Sequence, residues 1–169
     1  MKQVIAAVAT VFLTVAGTSL ADGDVGLLNE KHPVENLTIS GQPTLEQLQA
    51  VKEAGYTTVI NLRRDGEFDD FDEAAEVDKL GMTYVHIPVK NVASITAEDV
   101  SRLNDALENA SGPVLLHCTV GRRAGSIWAI EQYLYQGATE EEAIELVSEA
   151  HMDHAAGDVE EWIEENGSR

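Results

Sequence analysis

Residues 115–130, LLHCTVGRRAGSIWAI, contain the features that decide how this chain folds. They begin inside an apolar run, contain the only cysteine, Cys118, and continue through two arginines into an amphipathic segment. A short, almost wholly apolar run is typical of a central strand that is covered on both faces of a sheet. Ile127, Ile130 and Leu134 then recur at helical spacing. The stretch therefore predicts a buried strand, a short loop and a helix.

The rest of the chain alternates between strand and helix patterns. Strand patterns lie at residues 36–40, 56–62, 82–89 and 113–118. Helix patterns lie at residues 43–55, 69–81, 96–110, 123–137, 139–150 and 158–166. Strands separated by helices imply right-handed crossovers and parallel pairing. The sequence predicts an α/β fold of three layers, with a mostly parallel central sheet flanked by helices, in a single domain over residues 22–169.

The N-terminal residues have the pattern of a secretory signal peptide. Lys2 supplies a positive charge, residues 4–17 form an apolar run too short for a comfortable membrane span, and Ser19 and Ala21 are the small residues that precede a cleavage site. We expect residues 1–21 to be removed and the protein to be secreted, in a bacterium to the periplasm. The alternative is an uncleaved membrane anchor.

The charge balance restricts the partners. The formal net charge is −19, and cleavage after Ala21 would leave 10 basic and 30 acidic residues. Such a surface repels nucleic acid and anionic membranes. Half of those basic residues nevertheless follow the predicted strands: Arg63, Arg64, Lys90, Arg122 and Arg123. Because ligands of parallel sheets bind beyond the carboxyl ends of the strands, the cluster predicts a site for a small phosphorylated or otherwise anionic substrate, with no nucleic acid partner and no stable membrane association.

A lone cysteine in an exported protein has few roles. Cys118 cannot pair within its own chain, so it is buried and inert, linked to another chain, or free because it reacts. The sequence has no second thiolate and no histidine at ligand spacing from Cys118, which disfavours a metal site. We expect no metal and no organic cofactor.

The loop after the fourth strand pattern, residues 117–125, has the composition of an anion site. A helix N-terminus presents unpaired N–H groups, and Gly121 lets the backbone curl around an oxyanion. The same field favours the thiolate form of Cys118, which would attack a bound phosphate, while Arg123 forks two hydrogen bonds onto its oxygens. His117 is expected to orient the loop and to help stabilise the thiolate. The substrate-binding residues predicted here are His117, Thr119, Val120, Gly121, Arg122, Ala124 and Gly125.

These residues carry a resemblance to known families. The sequence HCTVGRRAG resembles the signature H-C-x5-R-[ST]-G of protein tyrosine and dual-specificity phosphatases, although only four residues separate Cys118 from Arg123 and Ala124 replaces the usual Ser or Thr. That shorter spacing is similar to the C-x4-[RT] loop of rhodanese-type sulfurtransferases. Residues 39–67, 81–89 and 112–129 resemble the bacterial family named for a beta-lactamase-hydrolase-like phosphatase domain, which is described both as phosphatase-like and as a sulfur transferase.

The resemblance implies a phosphatase that hydrolyses phosphate monoesters through a cysteinyl-phosphate intermediate. Cys118 is then the catalytic nucleophile and Arg123 the catalytic clamp on the transferred phosphoryl group. Two alternatives stay open. One is a sulfurtransferase in which Cys118 carries a persulfide, and the other is a non-catalytic module that binds anions.

The general acid is missing from its usual place. Dual-specificity phosphatases often carry an aspartate in a pattern like I-P-x-x-D, and here Asn91 stands at that position. An amide cannot supply the proton that an alkoxide leaving group needs. Either one of Asp65, Glu67, Glu98 and Asp99 substitutes for it, or the enzyme is limited to good leaving groups. Asn91 itself is interpreted as the cap of a turn.

Four other features have structural interpretations. His151 and His154 lie three residues apart without an obvious third ligand, which favours a structural or surface role over a metal site. His86 is interpreted as a core residue or one behind the site. Trp128 and Trp162 are interpreted as packing residues. Residues 69–73 and 140–142 are interpreted as solvated helix starts.

Overall fold

The computed structural model describes residues 25–149 and 153–167. The predicted signal peptide lies outside the described residues. The strands are β1 (Lys31–Val34), β2 (Leu37–Ser40), β3 (Thr58–Asn61), β4 (Thr83–His86) and β5 (Val114–His117). The helices are α1 (Leu45–Glu53), α2 (Glu73–Lys79), α3 (Ala97–Glu108), α4 (Arg122–Tyr135), α5 (Glu140–Glu149) and α6 (Asp153–Asn166), with a 3-10 turn at Val92–Ser94.

The five strands form one sheet in the order β1-β2-β5-β3-β4. The pairs β2–β5, β5–β3 and β3–β4 are parallel, which confirms the predicted α/β class. Strand β1 was not predicted. It pairs antiparallel with β2 across a tight turn in which Asn36 has a φ of 65°. Its sequence KHPV lacks an apolar pattern and contains Pro33, which is tolerated at an edge because an edge strand leaves N–H groups unpaired.

The core lies on both faces of the sheet, as three layers require. All four residues of β5 are buried. Leu115 packs with the cluster that includes Leu48 of α1 and Val77 of α2, whereas Leu116 packs with the cluster that includes Leu103 of α3 and Ile127 of α4. Alternate strand residues point to opposite faces, so each layer of helices covers one set of β5 side chains.

The N-terminal half of helix α4 is buried. Its residues from Ala124 to Glu131 are all buried. Trp128 is 1% exposed, and Trp162 of α6 donates its Nε1–H to the Ile95 carbonyl at 2.7 Å. Both tryptophans are packing residues, as predicted.

The strand register brings four polar side chains into one row. Ser40 and Asn61 each pair with His117, and Asn61 also pairs with His86. These residues end β2, β3, β5 and β4 respectively, so the carboxyl ends of the four parallel strands lie level. The loop that follows His117 therefore emerges at the centre of this edge. Among the described residues, no helix is long and apolar enough to cross a membrane.

Candidate active site

The loop between β5 and α4 is a tight turn that ends at Gly121. This residue caps α4 with a φ of 94°, a conformation that favours glycine. A Cβ atom there would lie 3.4 Å from the backbone of Ser40. Two residues on either side of β1 and β2 hold the loop in place: Gln42 N–H donates to Thr119 O at 3.1 Å, and Asn29 Nδ2 donates to Val120 O at 2.9 Å.

Cys118 is the first residue of this loop and is 1% exposed. Its Sγ accepts the backbone N–H of Gly121 at 3.1 Å. A hydrogen bond from the first turn of a helix stabilises negative charge on sulfur more than it stabilises a neutral thiol. Burial alone would suit an inert cysteine equally well, so this N–H contact is the feature that favours a reactive one.

Arg123 lies across the same loop. One terminal nitrogen, Nη1, donates to Val89 O at 2.5 Å, and the other, Nη2, donates to Thr119 Oγ1 at 2.9 Å. The two nitrogens also contact both carboxylate oxygens of Glu67, at 3.2 and 2.8 Å. Although burial works against the charge, the hydrogen bond to Glu67 and the nearby Cys118 sulfur raise the pKa of Arg123 above its ordinary value. The guanidinium is therefore a fixed, permanently charged fork beside Cys118.

Arg122 is directed elsewhere. Its Nη2 forms an exposed ion pair with Asp158 of α6. The two adjacent arginines therefore differ in their surroundings, because one side chain is held against the Cys118 loop and the other against α6. Arg122 was predicted to bind substrate, and this placement leaves its guanidinium a weaker candidate than that of Arg123.

The remaining predicted loop residues divide into two groups. Thr119 and Val120 are exposed at the rim of the loop. Ala124 and Gly125 are buried in the first turn of α4, where Gly125 N–H donates to Gly121 O at 2.9 Å. The N–H group of Gly125 is therefore already used within α4, and the substrate-binding role of Ala124 and Gly125 stays a prediction.

Glu67 is the one proposed substitute for the general acid that reaches the site. Besides Arg123 it binds Arg64, whose Nε donates to Oε1 at 2.7 Å. Although partial burial acts in the opposite direction, the hydrogen bonds from Arg123 and Arg64 lower the pKa of Glu67 from 4.5 to about 2. The carboxylate is thus ionised at neutral pH, and it occupies the positions on Arg123 that two oxygens of a bound anion would take.

Of the other candidate acids, Asp65 and Glu98 are exposed and Asp99 is half-buried. Asp99 accepts the backbone N–H of Thr96 at 3.0 Å and completes the cap of α3. Asn91 is exposed and opens the 3-10 turn, where its N–H donates to Ser94 Oγ at 3.0 Å and its carbonyl accepts from the same hydroxyl at 2.8 Å. Asn91 therefore stands at the cap position of the turn, as interpreted, but it makes these contacts through its backbone.

A prediction about stability follows from the Glu67 contacts. Because the pKa of Glu67 is depressed in the folded protein, the unfolded chain takes up its proton first as the pH falls, so the contribution to stability is present above about pH 4.5 and is lost toward pH 2. The free energy of unfolding should therefore fall more steeply with acid in the wild type than in Glu67→Gln, measured by urea denaturation across this range. Glu46→Gln, which removes an exposed carboxylate of α1, is the matched control. Equal slopes for the wild type and Glu67→Gln would show that Arg123 does not hold Glu67 in solution.

Two predicted surface residues are buried behind the loop. Arg63, expected in the basic crevice, is 5% exposed, and Glu73, expected in a solvated helix start, is 4% exposed. They pair with each other at 2.6 Å. The prediction that Glu73 is solvated is wrong, because its carboxylate accepts from Arg63 and from Asn61 at the end of β3. Arg63 follows β3 as predicted, but it is buried against Glu73. His86, half-buried, bonds Arg63 O through Nε2 at 2.6 Å, as expected of a residue behind the site.

The chain has other features of the kind that can hold a ligand. A cavity of about 480 Å³ is lined by Asn36, Val114 and Glu131 among others. Since Val114 begins β5, this cavity lies at the opposite end of the sheet from Cys118. The side chains of His151 and His154 lie outside the described residues. Among the described residues, the exposed carboxylates of Glu140, Glu160 and Glu164 come within 4.8 Å of one another, which is unremarkable on so acidic a surface.

Comparison with known proteins agrees with this architecture. The chain is 34% identical over 122 residues to the beta-lactamase hydrolase-like protein of Xylella fastidiosa (strain Temecula1), a match that covers 69% of this chain and 28% of that protein. It therefore spans less than a third of that relative's length. A candidate phosphatase of the DUF442 group from Shewanella putrefaciens CN-32 shares 29% identity with a TM-score of 0.59, over 74% of this chain and 92% of the other.

More distant structures share the fold alone. Pseudomonas aeruginosa TpbA in complex with pTyr is 19% identical with a TM-score of 0.64, covering 86% of this chain and 88% of the other. The core catalytic domain of the Saccharomyces cerevisiae PP-IP phosphatase SIW14, in complex with citrate, is 18% identical with a TM-score of 0.67, covering 82% and 85%. The TpbA structure holds pTyr and the SIW14 structure holds citrate.

The family follows from the match along the chain itself. Residues 31–135, which run from β1 to the end of α4, match the family described as beta-lactamase hydrolase-like protein, phosphatase-like domain. The matched segment contains all five strands, Cys118 and Arg123. The chain belongs to the beta-lactamase hydrolase-like, phosphatase-like domain family.

Proposed function

We propose that this protein is a cysteine-dependent phosphatase that hydrolyses phosphate monoesters through a cysteinyl-phosphate intermediate. The observation that carries the proposal is the Cys118 Sγ held by the N–H of Gly121 at 3.1 Å, with the Arg123 guanidinium fixed across the same loop. Phosphoryl transfer through a cysteine uses these three groups together: a thiolate as nucleophile, and a helix N-terminus and a planar cation that stabilise the phosphoryl oxygens.

The reaction proceeds in two displacements. The Cys118 thiolate attacks phosphorus in line with the ester oxygen, an S–P bond forms, and the P–O bond to the leaving group breaks. Water then attacks the cysteinyl phosphate, which releases inorganic phosphate and restores the thiolate. In both steps Arg123 donates two hydrogen bonds to the equatorial oxygens, where charge develops.

Glu67 must move away from Arg123 before Arg123 can bind the phosphoryl group. Its carboxylate holds both terminal nitrogens of Arg123 in the free protein. A phosphate dianion carries more negative charge than the Glu67 carboxylate, and on the Arg123 guanidinium it would lie closer to the N-terminus of α4. It can therefore replace the carboxylate on Arg123. Because Glu67 is ionised in the free protein, it has no proton to donate to the leaving group, and the amide of Asn91 cannot donate one either. We therefore propose that the enzyme prefers esters with good leaving groups.

That preference gives a kinetic prediction. Aryl phosphates with acidic phenols should be hydrolysed, whereas alkyl phosphates should react about 10²–10⁴-fold more slowly, the usual contribution of general acid catalysis. Asn91→Asp should recover part of the difference for poor leaving groups only. Steady-state kcat/KM for a series of phosphate esters of phenols and alcohols measures this dependence on the leaving group. Ser94→Ala is a control that disturbs the same turn without adding an acid. Equal rates for aryl and alkyl esters would mean that another group donates the proton.

Sulfur transfer is the second candidate. The observation in its favour is the loop length, since only four residues separate Cys118 from Arg123 and the helix begins at once after Gly121. A tighter loop encloses a single sulfur more readily than a phosphoryl group. In this reaction Cys118 takes the sulfane sulfur of a donor such as thiosulfate, releases sulfite, and passes the sulfur to an acceptor thiolate or cyanide.

We propose that the substrate is a small phosphorylated molecule or a phosphorylated side chain encountered outside the cytoplasm. The complexes of TpbA with pTyr and of SIW14 with citrate support a small anion as the ligand type. The net charge of −19 argues against large polyanions.

Export is the remaining part of the proposal, and it has its own test. The mature protein should begin at Asp22, because Ser19 and Ala21 occupy the positions that signal peptidase reads. N-terminal sequencing of periplasmic material after expression of the full chain measures this. Replacing Ala21 by a bulky residue, Ala21→Phe, should block processing. Full-length chain recovered from the membrane fraction for the wild type would support an anchor instead.

A further inference from the structure

The cavity of about 480 Å³ lies at the end of the sheet that the proposed reaction does not use. It is bounded by the turn between β1 and β2, the end of α3, the start of β5 and the later turns of α4. Its volume falls within the range of small-molecule sites, about 300–1,000 Å³. The chemical groups that line it therefore decide which kind of ligand it suits.

Glu131 of α4 is a buried carboxylate of this cavity. It is 1% exposed, and its two oxygens accept from side-chain amides, Gln132 Nε2 at 2.7 Å and Gln136 Nε2 at 2.8 Å. No described residue forms an ion pair with it. Removing a carboxylate from water is costly unless a cation or enough hydrogen-bond donors replace that water. Glu131 therefore favours a cation in the adjoining cavity.

Two further buried polar groups of the cavity lack partners. Asn104 of α3 is 8% exposed, Trp128 of α4 is buried, and both line the cavity. Among the described residues, none forms a hydrogen bond with the Asn104 amide or with the Trp128 indole N–H. Buried polar groups are nearly always hydrogen-bonded, so an amide in this position indicates a partner from outside the chain. The amide oxygen of Asn104 can accept from a donor, and an indole ring attracts a cation.

The charges around the cavity select the class of ligand. Its lining includes the exposed carboxylates of Glu35 and Glu108 besides that of Glu131, and it includes no Lys, Arg or His. This lining disfavours an anion. A single metal ion is disfavoured as well, because these three carboxylates are not among the described acidic groups whose oxygens come within 4.8 Å of one another. A cation of larger size, with its charge on one end, fits the lining better.

We propose that this cavity binds a small organic cation, an ammonium group carried on a short aliphatic chain. The ammonium group donates to Glu131, whose oxygens each keep an acceptor position beyond the amide contacts, and to the amide oxygen of Asn104. The aliphatic chain packs against Leu37, Leu107 and Trp128, which form the apolar part of the lining. The inference goes beyond the proposed function and does not rest on it, because the site is separate from Cys118.

The experiment is a titration of the full chain with n-butylammonium chloride, followed by the nitrogen–proton NMR signals of the two tryptophan indoles. The Trp128 signal should shift and saturate, whereas the Trp162 signal should stay in place because that N–H is already bonded to Ile95 O. A salt concentration of about 0.15 M screens general attraction to the acidic surface. n-Butanol, which has the same chain length and no charge, should bind at least tenfold more weakly.

Variants assign the binding to individual groups. Glu131→Gln should weaken binding about 10–100-fold, the usual effect of losing a hydrogen bond between charged groups. Glu46→Gln, the matched control, removes one exposed carboxylate of α1 and should leave the affinity unchanged. Asn104→Leu should weaken binding about 2–10-fold and raise the melting temperature of the free protein, because it replaces a buried amide that has no described partner. A structural role of Asn104 would lower the melting temperature instead.

The inference would be overturned by a Trp128 signal that does not move, or by a shift that is the same in Glu131→Gln as in the wild type. Either result would leave the cation on the acidic surface at most. Equal affinity for n-butanol would also overturn it. If Glu131→Gln does not fold, the comparison of n-butylammonium with n-butanol and the Asn104→Leu variant decide. None of these readouts involves Cys118, so absence of phosphatase activity would refute the proposed function and leave this inference to its own test.

Discussion

Replacement of Cys118 by serine is expected to abolish hydrolysis of an aryl phosphate while the fold is retained. The serine hydroxyl fits the space of the thiol and can still accept the N–H of Gly121, so packing behind the loop changes little. A hydroxyl is far less ionised than a thiol at neutral pH, and no described side chain is placed to take its proton. We expect a loss of about 10⁴–10⁶-fold in kcat, the range that removal of a nucleophile or its base produces.

Steady-state assays with an aryl phosphate measure this loss, and thermal unfolding of the variant shows whether the fold is kept. Ser126→Ala, which removes a hydroxyl bonded to the Arg122 carbonyl within α4, is a control for small changes in the same helix. Hydrolysis by Cys118→Ser at the wild-type rate would mean that another residue is the nucleophile.

Arg123→Lys is expected to reduce turnover by about 10²–10³-fold, comparable to losing a donor to the charge of a transition state. A lysine ammonium cannot bond Val89 O and Thr119 Oγ1 and still present two parallel N–H groups to a phosphate. Arg122→Lys is the matched control. Its partner Asp158 is exposed, and exposed ion pairs contribute about 0–1 kcal/mol, so turnover should hardly change.

The comparison of kcat/KM for the two variants tests the register of the loop. If Arg122→Lys were the damaging change and Arg123→Lys the mild one, the clamp would be Arg122. The structure places the guanidinium of Arg123 beside Cys118 and that of Arg122 beside α6, so the expected ranking follows from geometry as well as from spacing along the sequence.

The local patterns of the sequence were sufficient for most of the fold. The apolar run at residues 113–118 is buried on both faces as predicted. A central parallel strand is covered by helices on both sides, so its sequence is apolar throughout and does not alternate with polar residues. Thr44 with Gln47 and Thr96 with Asp99 form capping boxes at the starts of α1 and α3, and each pair is visible in the sequence as two residues three positions apart. Strand β1 was missed because its four residues contain a proline and no alternation, and it forms only because β2 offers an edge.

The loop could be predicted and the residues behind it could not. Cys118, Gly121 and Arg123 are close in sequence, so their spacing already fixes their relation at the start of a helix. Glu73 stands in an acidic run that resembles a solvated helix start, and only the folded sheet brings it to Arg63 and His117. The one sequence signal was Asn61, a polar amide at the end of a strand rich in β-branched residues, where an apolar side chain is usual.

The charge at this edge of the sheet was also predicted only in part. Basic residues after several strands predicted a positive crevice, and strand order did bring them to one edge. The sequence does not tell which of them find acidic partners. Arg63 pairs with Glu73, and Arg64 and Arg123 share Glu67, so the free protein presents less positive charge at this edge than the count suggests.

Intact mass spectrometry of the acid-quenched wild-type protein, during turnover of an aryl phosphate and separately after incubation with thiosulfate, tests the central claim most directly. The account predicts that the aryl phosphate adds the mass of one phosphoryl group to Cys118, that Cys118→Ser gains none, and that thiosulfate leaves the protein unmodified. A stable gain of one sulfur atom on Cys118, discharged by cyanide, together with no phosphoryl adduct and no aryl phosphate hydrolysis, would contradict it.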